Sequence, residues 1–245
     1  MDRRDTSVTL RWMGAGTELF TRTVAALPDD ALRTPSALPG WTRAHVVAHV
    51  ARNAEALTRL ATWARTGIET PMYPSRDYRA AEIESSAKAP ADVLRAELGT
   101  TAEALDAALA ALDATTWQAE VRSALGRPIP AAEIPWMRVR EVWLHAVDLD
   151  AGVSVADIAP DVVDTLLDDS TGTLSAAEGC PAALLAPTDR DRTWSLGPAA
   201  DDPLQVRGEA AHVLGWLVGR CGPDALEART ADGDPTTVPP PPRWL

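Results

Sequence analysis

"IPWMRVREVWLHAVDLDAG", residues 134–152, sets a glutamate, a histidine and an aspartate into a segment otherwise rich in tryptophan, valine and leucine. Pro135 suits a first helical position and Gly152 a stop, so a helix is predicted between them. Glu141, His145 and Asp148 then recur at i, i+4 and i+7. At about 100° per residue, His145 lies about 40° from Glu141 and Asp148 about 20° the other way, so all three share one face. Val142, Trp143, Leu144, Ala146, Val147 and Leu149 surround that face and leave little of the helix for solvent. A buried carboxylate beside a buried imidazole needs a partner, because unpaired burial costs several kcal/mol. A Glu–His hydrogen bond meets that need. So does a divalent metal, for which carboxylate oxygen and imidazole nitrogen are both ligands.

A second stretch, "GWTRAHVVAHVARNAEAL" at residues 40–57, carries His45 and His49, again at i and i+4. His49 shares its stripe with Val46, Val50 and Asn53, which reads as inward-facing. Three of the chain's four histidines thus fall on two helices able to face each other in a bundle. Neither helix carries an HExxH motif. Spacing leaves both the hydrogen-bonded pair and the metal site open.

Working outward, residues 7–26 place Leu10, Met13, Phe20 and Val24 on a helical stripe that stops at "LPDD". Thr42 can cap a second helix running to about Thr66, with Gly67 as its stop. "PMYPSRDY" reads as a Pro-rich connection. A third helix follows across "PADVLRAELGTTAEALDAALAAL", and "GRPIP" breaks the chain before the fourth. These features predict a four-helix bundle over residues 1–152. Beyond it come a helix near 160–176, short strand-like runs "ALLAP", "RTWSLG" and "LQVRG", an apolar helix "EAAHVLGWLVGRC" and a final "LEART". Residues 153–245 are therefore expected to form a small α/β domain, and the fold class is α+β. The tail "VPPPPRWL" suits either a recognition segment or a terminus docked through Trp244 and Leu245.

The chain has 245 residues and a formal charge of −12. That balance argues against nucleic acid and anionic lipid as partners, since both call for a basic surface. No run approaches the ~18 apolar residues of a membrane span. "MDRRDTSVTLRWMGAG" lacks the continuous apolar core of an export signal. Cys180 and Cys221 stand far apart and in no metal spacing, so both are expected to be reduced packing residues in a cytoplasmic monomer.

Four stretches, "GWTRAHVVAHVARNAEAL", "WARTGIETPMY", "WMRVREVWLHAVDL" and the terminal "PPRWL", carry a further signal in their order and spacing. Through them the chain resembles the mycothiol-dependent maleylpyruvate isomerases, members of the DinB-like metalloenzyme superfamily. The resemblance implies a four-helix DinB-like bundle followed by a small α/β domain. It implies a zinc ion held by His49, Glu141 and His145, and an arginine facing the site from the last helix of the C-terminal domain, here Arg220. His45 is not a ligand in this family, and a core or supporting role is expected for it. Asp148 is expected to orient a ligand, and His212 to be structural.

The resemblance further implies the chemistry. Mycothiol supplies a thiol that zinc activates. Its thiolate adds to the double bond of maleylpyruvate, a dicarboxylate conjugated to a ketone; the bond rotates, and the thiol leaves to give fumarylpyruvate. Arg220 would face the developing enolate or clamp a substrate carboxylate. Arg43, Arg138 and Arg140 could add local positive charge, though most of them read as solvated surface groups. Two other readings stay open on the residues: a mycothiol S-transferase acting on another electrophile, and a non-catalytic metal-binding protein of the same fold.

Overall fold

A computed structural model describes residues 3–241. The final residues of the tail, including Trp244 and Leu245, lie outside the described part. The chain divides into two compact units that meet between Val153 and Ser154.

The first unit is built on helices α1 (Thr6–Ala26), α2 (Arg43–Thr66), α3 (Arg76–Ser86), α4 (Ala91–Ala110) and α5 (Ile134–Asp148). Helix α1 begins where the Asp5 carboxylate accepts from Ser7 N–H, the N-cap arrangement that satisfies a helix-end donor. Its buried stripe includes Trp12, Met13, Phe20 and Val24 and packs on α5. The two helices approach closely at Gly16, where an added Cβ would come within 2.6 Å of Val142 and Trp143. Helix α2 starts at Thr42 and ends at Gly67, whose φ of 71° is the left-handed stop read from the sequence. It packs on α3, α4 and α5 and so runs through the middle of the unit.

Two elements here escape the sequence reading. Helix α3 occupies part of what reads as a Pro-rich connection. Ser75 caps it by accepting from Tyr78 N–H at 3.0 Å, yet Ile83 is the only buried residue within the helix, so no apolar stripe announces it. A hairpin, β1 (Glu120–Arg122) with β2 (Pro128–Pro130), precedes α5. Its two prolines conceal it, although a two-stranded ribbon tolerates them at its edges. The hairpin nevertheless buries Val121 and Ile129, which pair across it.

The second unit carries α6 (Pro160–Leu174) and α7 (Ala210–Leu217) with five strands: β3 (Ala183–Leu185), β4 (Trp194–Leu196), β5 (Leu204–Arg207), β6 (Glu227–Arg229) and β7 (Pro235–Thr236). The sheet order is β4-β3-β5-β6-β7, with β3 parallel to β5 and every other pair antiparallel. Trp194 and Leu196 are buried on either side of the exposed Ser195, the period-2 pattern of a half-buried strand. Helix α7 is shorter than "EAAHVLGWLVGRC" suggests. Gly219 takes a φ of 72°, its N–H bonds Trp216 O at 3.1 Å, and Arg220 N–H bonds Gly215 O at 2.7 Å. That double closure ends the helix. Among the described residues, no helix is long and apolar enough to cross a membrane.

Candidate metal centre

The site lies where α2 and α5 meet. His49 sits two turns into α2 and is buried. Its Nε2 stands 2.8 Å from Glu141 Oε2 on α5, and His145 Nε2 stands 3.2 Å from the same oxygen. The two imidazole rings meet edge to face with centroids 4.7 Å apart. One ligand atom from each of His49, Glu141 and His145 can be chosen so that all lie within 4.8 Å of one another. No other set of three or more potential ligands among the described residues meets this criterion.

The next residues outward set the direction of each ring. Asp148 is almost wholly buried, and its Oδ2 lies 2.8 Å from His145 Nδ1. A carboxylate there accepts from Nδ1–H, so that a cation bound at Nε2 would leave the ring's remaining proton on Nδ1. Trp41 packs edge-on against His49, with ring centroids 5.6 Å apart. Arg79, on α3, brings Nη2 to 3.1 Å from His49 Nδ1. A guanidinium can only donate, so Nδ1 accepts in this arrangement.

Charge follows from this packing. Burial disfavours the charged form of His49 and outweighs the pull of Glu141, so its pKa falls below the ordinary 6.5. Burial also opposes a charge on His145, but its hydrogen bonds to Asp148 and Glu141 override it, and its pKa rises. Glu141 is half-buried and its loss of hydration opposes ionisation, yet the two imidazoles hold its carboxyl well below the usual range. The result is an ionised carboxylate between two rings.

These groups form a fitting donor set for a divalent cation: two imidazole nitrogens, one carboxylate oxygen and a carboxylate behind one of the rings. Only the Arg79 contact has to change. An imidazole bound through Nε2 keeps its proton on Nδ1, which then cannot accept from a guanidinium.

His45, one turn before His49, points elsewhere. Its Nδ1 accepts from Thr42 N–H at 3.2 Å and lies 2.7 Å from the Thr42 hydroxyl, closing a capping box at the start of α2. Its Nε2 faces Glu84 on α3 at 3.1 Å. His212, on α7 in the other unit, has Nδ1 3.6 Å from Glu209. Arg220 also belongs to that unit. It lies in the turn after α7 rather than on the helix, and its Nη1 donates to Val218 O at 2.8 Å.

Arg138 is a correction to the sequence reading, which counts it among the arginines near helix termini that are mostly solvated. It is 1% exposed, and its Nη1 donates to Val50 O at 2.6 Å and Asn53 Oδ1 at 2.9 Å. Burial pushes its pKa down to about 10, against the attraction of Glu141 and Asp106. It ties α5 to α2 one turn below Glu141. Arg43 is likewise structural, donating to Leu149 O at 2.6 Å and to Asp150 O at 2.5 Å, which anchors the end of α5 to the start of α2.

The family model of the mycothiol maleylpyruvate isomerase N-terminal domain matches residues 13–150, and that of the MDMPI C-terminal domain matches residues 157–240. The chain belongs to the mycothiol maleylpyruvate isomerase family. A crystal structure of the mycothiol-dependent maleylpyruvate isomerase is similar over 100% of both chains, with 34% identity and a TM-score of 0.90. A histidine-to-alanine mutant of that isomerase aligns with the same coverage, 34% identity and a TM-score of 0.90. No curated protein matches the chain significantly. The mixed α+β architecture is that of this family.

Sequence reasoning missed Arg79, Tyr73 and Trp41 near the centre. Ser75, with Asp77 in the following turn, was the available sign of a helix that delivers Arg79.

Proposed function

We propose that this chain is a mycothiol-dependent maleylpyruvate isomerase whose zinc is held by His49, Glu141 and His145. The observation that carries the reading is the convergence of those three donors from two helices, in a chain 34% identical to such an isomerase over its whole length. Zinc bound there would favour the thiolate of mycothiol over the thiol, and that thiolate would supply the nucleophile that adds to, and later leaves, the substrate double bond.

The chain's own residues prepare for this. Three protein ligands leave a coordination position open, as in catalytic rather than structural sites. Asp148 presents His145 Nε2 to the centre, and Glu141 offsets part of the cation's charge. Trp41 shields His49 from water. The chain's thiols do not compete as nucleophiles: burial raises the pKa of both Cys180 and Cys221. Arg220 is carried forward as the cation that faces a substrate carboxylate or the enolate, on the strength of its motif position. Replacement by alanine should lower turnover while zinc content stays normal. A cytoplasmic role in aromatic-ring degradation accompanies this reading.

The test follows the absorbance of maleylpyruvate with zinc-loaded protein, with and without mycothiol. Conversion to fumarylpyruvate only when mycothiol is present is the expected result. No turnover with both present refutes the isomerase.

A further inference from the structure

The stretch "WARTGIETPMY" and the start of α3 wall a cavity of about 600 Å³ in the first unit, within the range of small-molecule sites. Trp63, Tyr73, Arg76, Arg79 and Arg122 line it, and among the described residues Glu69 is the only carboxylate in its wall. In a chain with a formal charge of −12, three arginines against one glutamate make this a locally positive hollow. Arg79 belongs to both places: it lines the cavity and reaches His49 Nδ1 at 3.1 Å. The guanidinium also stands 5.7 Å from the centre of the Tyr73 ring.

We propose that Arg79 is a substrate-binding residue, which takes a carboxylate of the dianionic substrate and holds it in this cavity against the metal centre. The inference rests on the isomerase reading given above. Arg79 has a planar fork of donors suited to bidentate carboxylate binding. Because Arg79 stands in the cavity wall and within 3.1 Å of His49, an anion held on its fork lies beside the centre. Tyr73, beside it, can donate to the same anion. Arg79 thus gives the bundle its own carboxylate contact, independent of the arginine on the C-terminal unit.

The experiment uses full-length, zinc-loaded wild type, Arg79→Gln and Arg79→Lys. Maleate, a cis-dicarboxylate, is titrated calorimetrically without mycothiol, and zinc is quantified in each protein. Arg79→Gln should weaken maleate binding at least tenfold, and Arg79→Lys by less, with one zinc per chain throughout. Maleate affinity within twofold of wild type in Arg79→Gln, or no binding to wild type, overturns the assignment. Loss of zinc in Arg79→Gln also overturns it, since Arg79 would then merely position His49. Turnover of maleylpyruvate by wild type is measured alongside. Its absence sinks the isomerase reading, whereas normal turnover with unchanged maleate affinity in Arg79→Gln sinks only the role of Arg79.

Discussion

Asp148→Ala removes the carboxylate behind His145 without touching a proposed ligand. The lost contact is 2.8 Å long and its Asp148 side is almost wholly buried, so water cannot easily replace the carboxylate. A buried hydrogen bond involving a charged group contributes about 1.5–3 kcal/mol. Partners of ligating histidines typically change metal affinity by about 10–100-fold, or about 1.4–2.8 kcal/mol, so the two estimates agree. Zinc affinity should therefore fall by about one to two orders of magnitude in Asp148→Ala. Asp148→Asn, which keeps an acceptor but loses the charge, should fall by less. Competition with a chromophoric chelator at fixed pH measures both. Saturating zinc should restore turnover in either variant, because the ligands themselves remain. A dissociation constant for Asp148→Ala within twofold of wild type would refute the claim that this carboxylate sets the direction and basicity of His145.

His49→Ala and Glu141→Ala should each lose stoichiometric zinc, and elemental analysis finding one metal per chain in both would reject the ligand set. In chelated protein, thermal stability should peak at about pH 6.5, where the two imidazole titrations diverge. As pH falls below that value toward the lowered pKa of His49, the unfolded chain takes up protons first and stability drops. The contribution of His145 is fully present below its unfolded value and is lost as pH rises through its raised one. Zinc should flatten this profile; a chelated protein whose melting temperature shows no maximum between about pH 5 and 8 contradicts the reasoning. Gly16→Ala should destabilise the first unit, because the new methyl meets Val142 and Trp143 at 2.6 Å. Overpacking costs about 1–3 kcal/mol against a helix-propensity gain of ~1 kcal/mol. Urea unfolding showing equal or greater stability would mean that α1 shifts freely on α5.

Most of the site's skeleton was legible because helical periodicity is local. Glu141, His145 and Asp148 share a face wherever their helix is placed, and Thr42 and Gly67 mark the ends of α2 by their own chemistry. The strands at Trp194–Leu196 and Leu204–Arg207 were readable in the same way, from short apolar or alternating runs. Helix α3 was not, since a mostly solvated helix lacks the apolar stripe that betrays the others. Nor was the hairpin before α5, whose prolines read as a break.

The sequence by itself determined which residues can share a face and, through its ordered motifs, the family. Tertiary structure decided which of them meet. His45 and His49 stand one helical turn apart, yet one closes the cap of α2 while the other reaches Glu141 across the bundle. Arg138 could have been solvated, but the packing of α5 on α2 buries it against Val50 and Asn53. Arg79 comes to His49 from 30 residues away through a helix with no sequence stripe. Local rules set the phase of each helix. Only the packing of one helix on another sets the distances between side chains that share no segment.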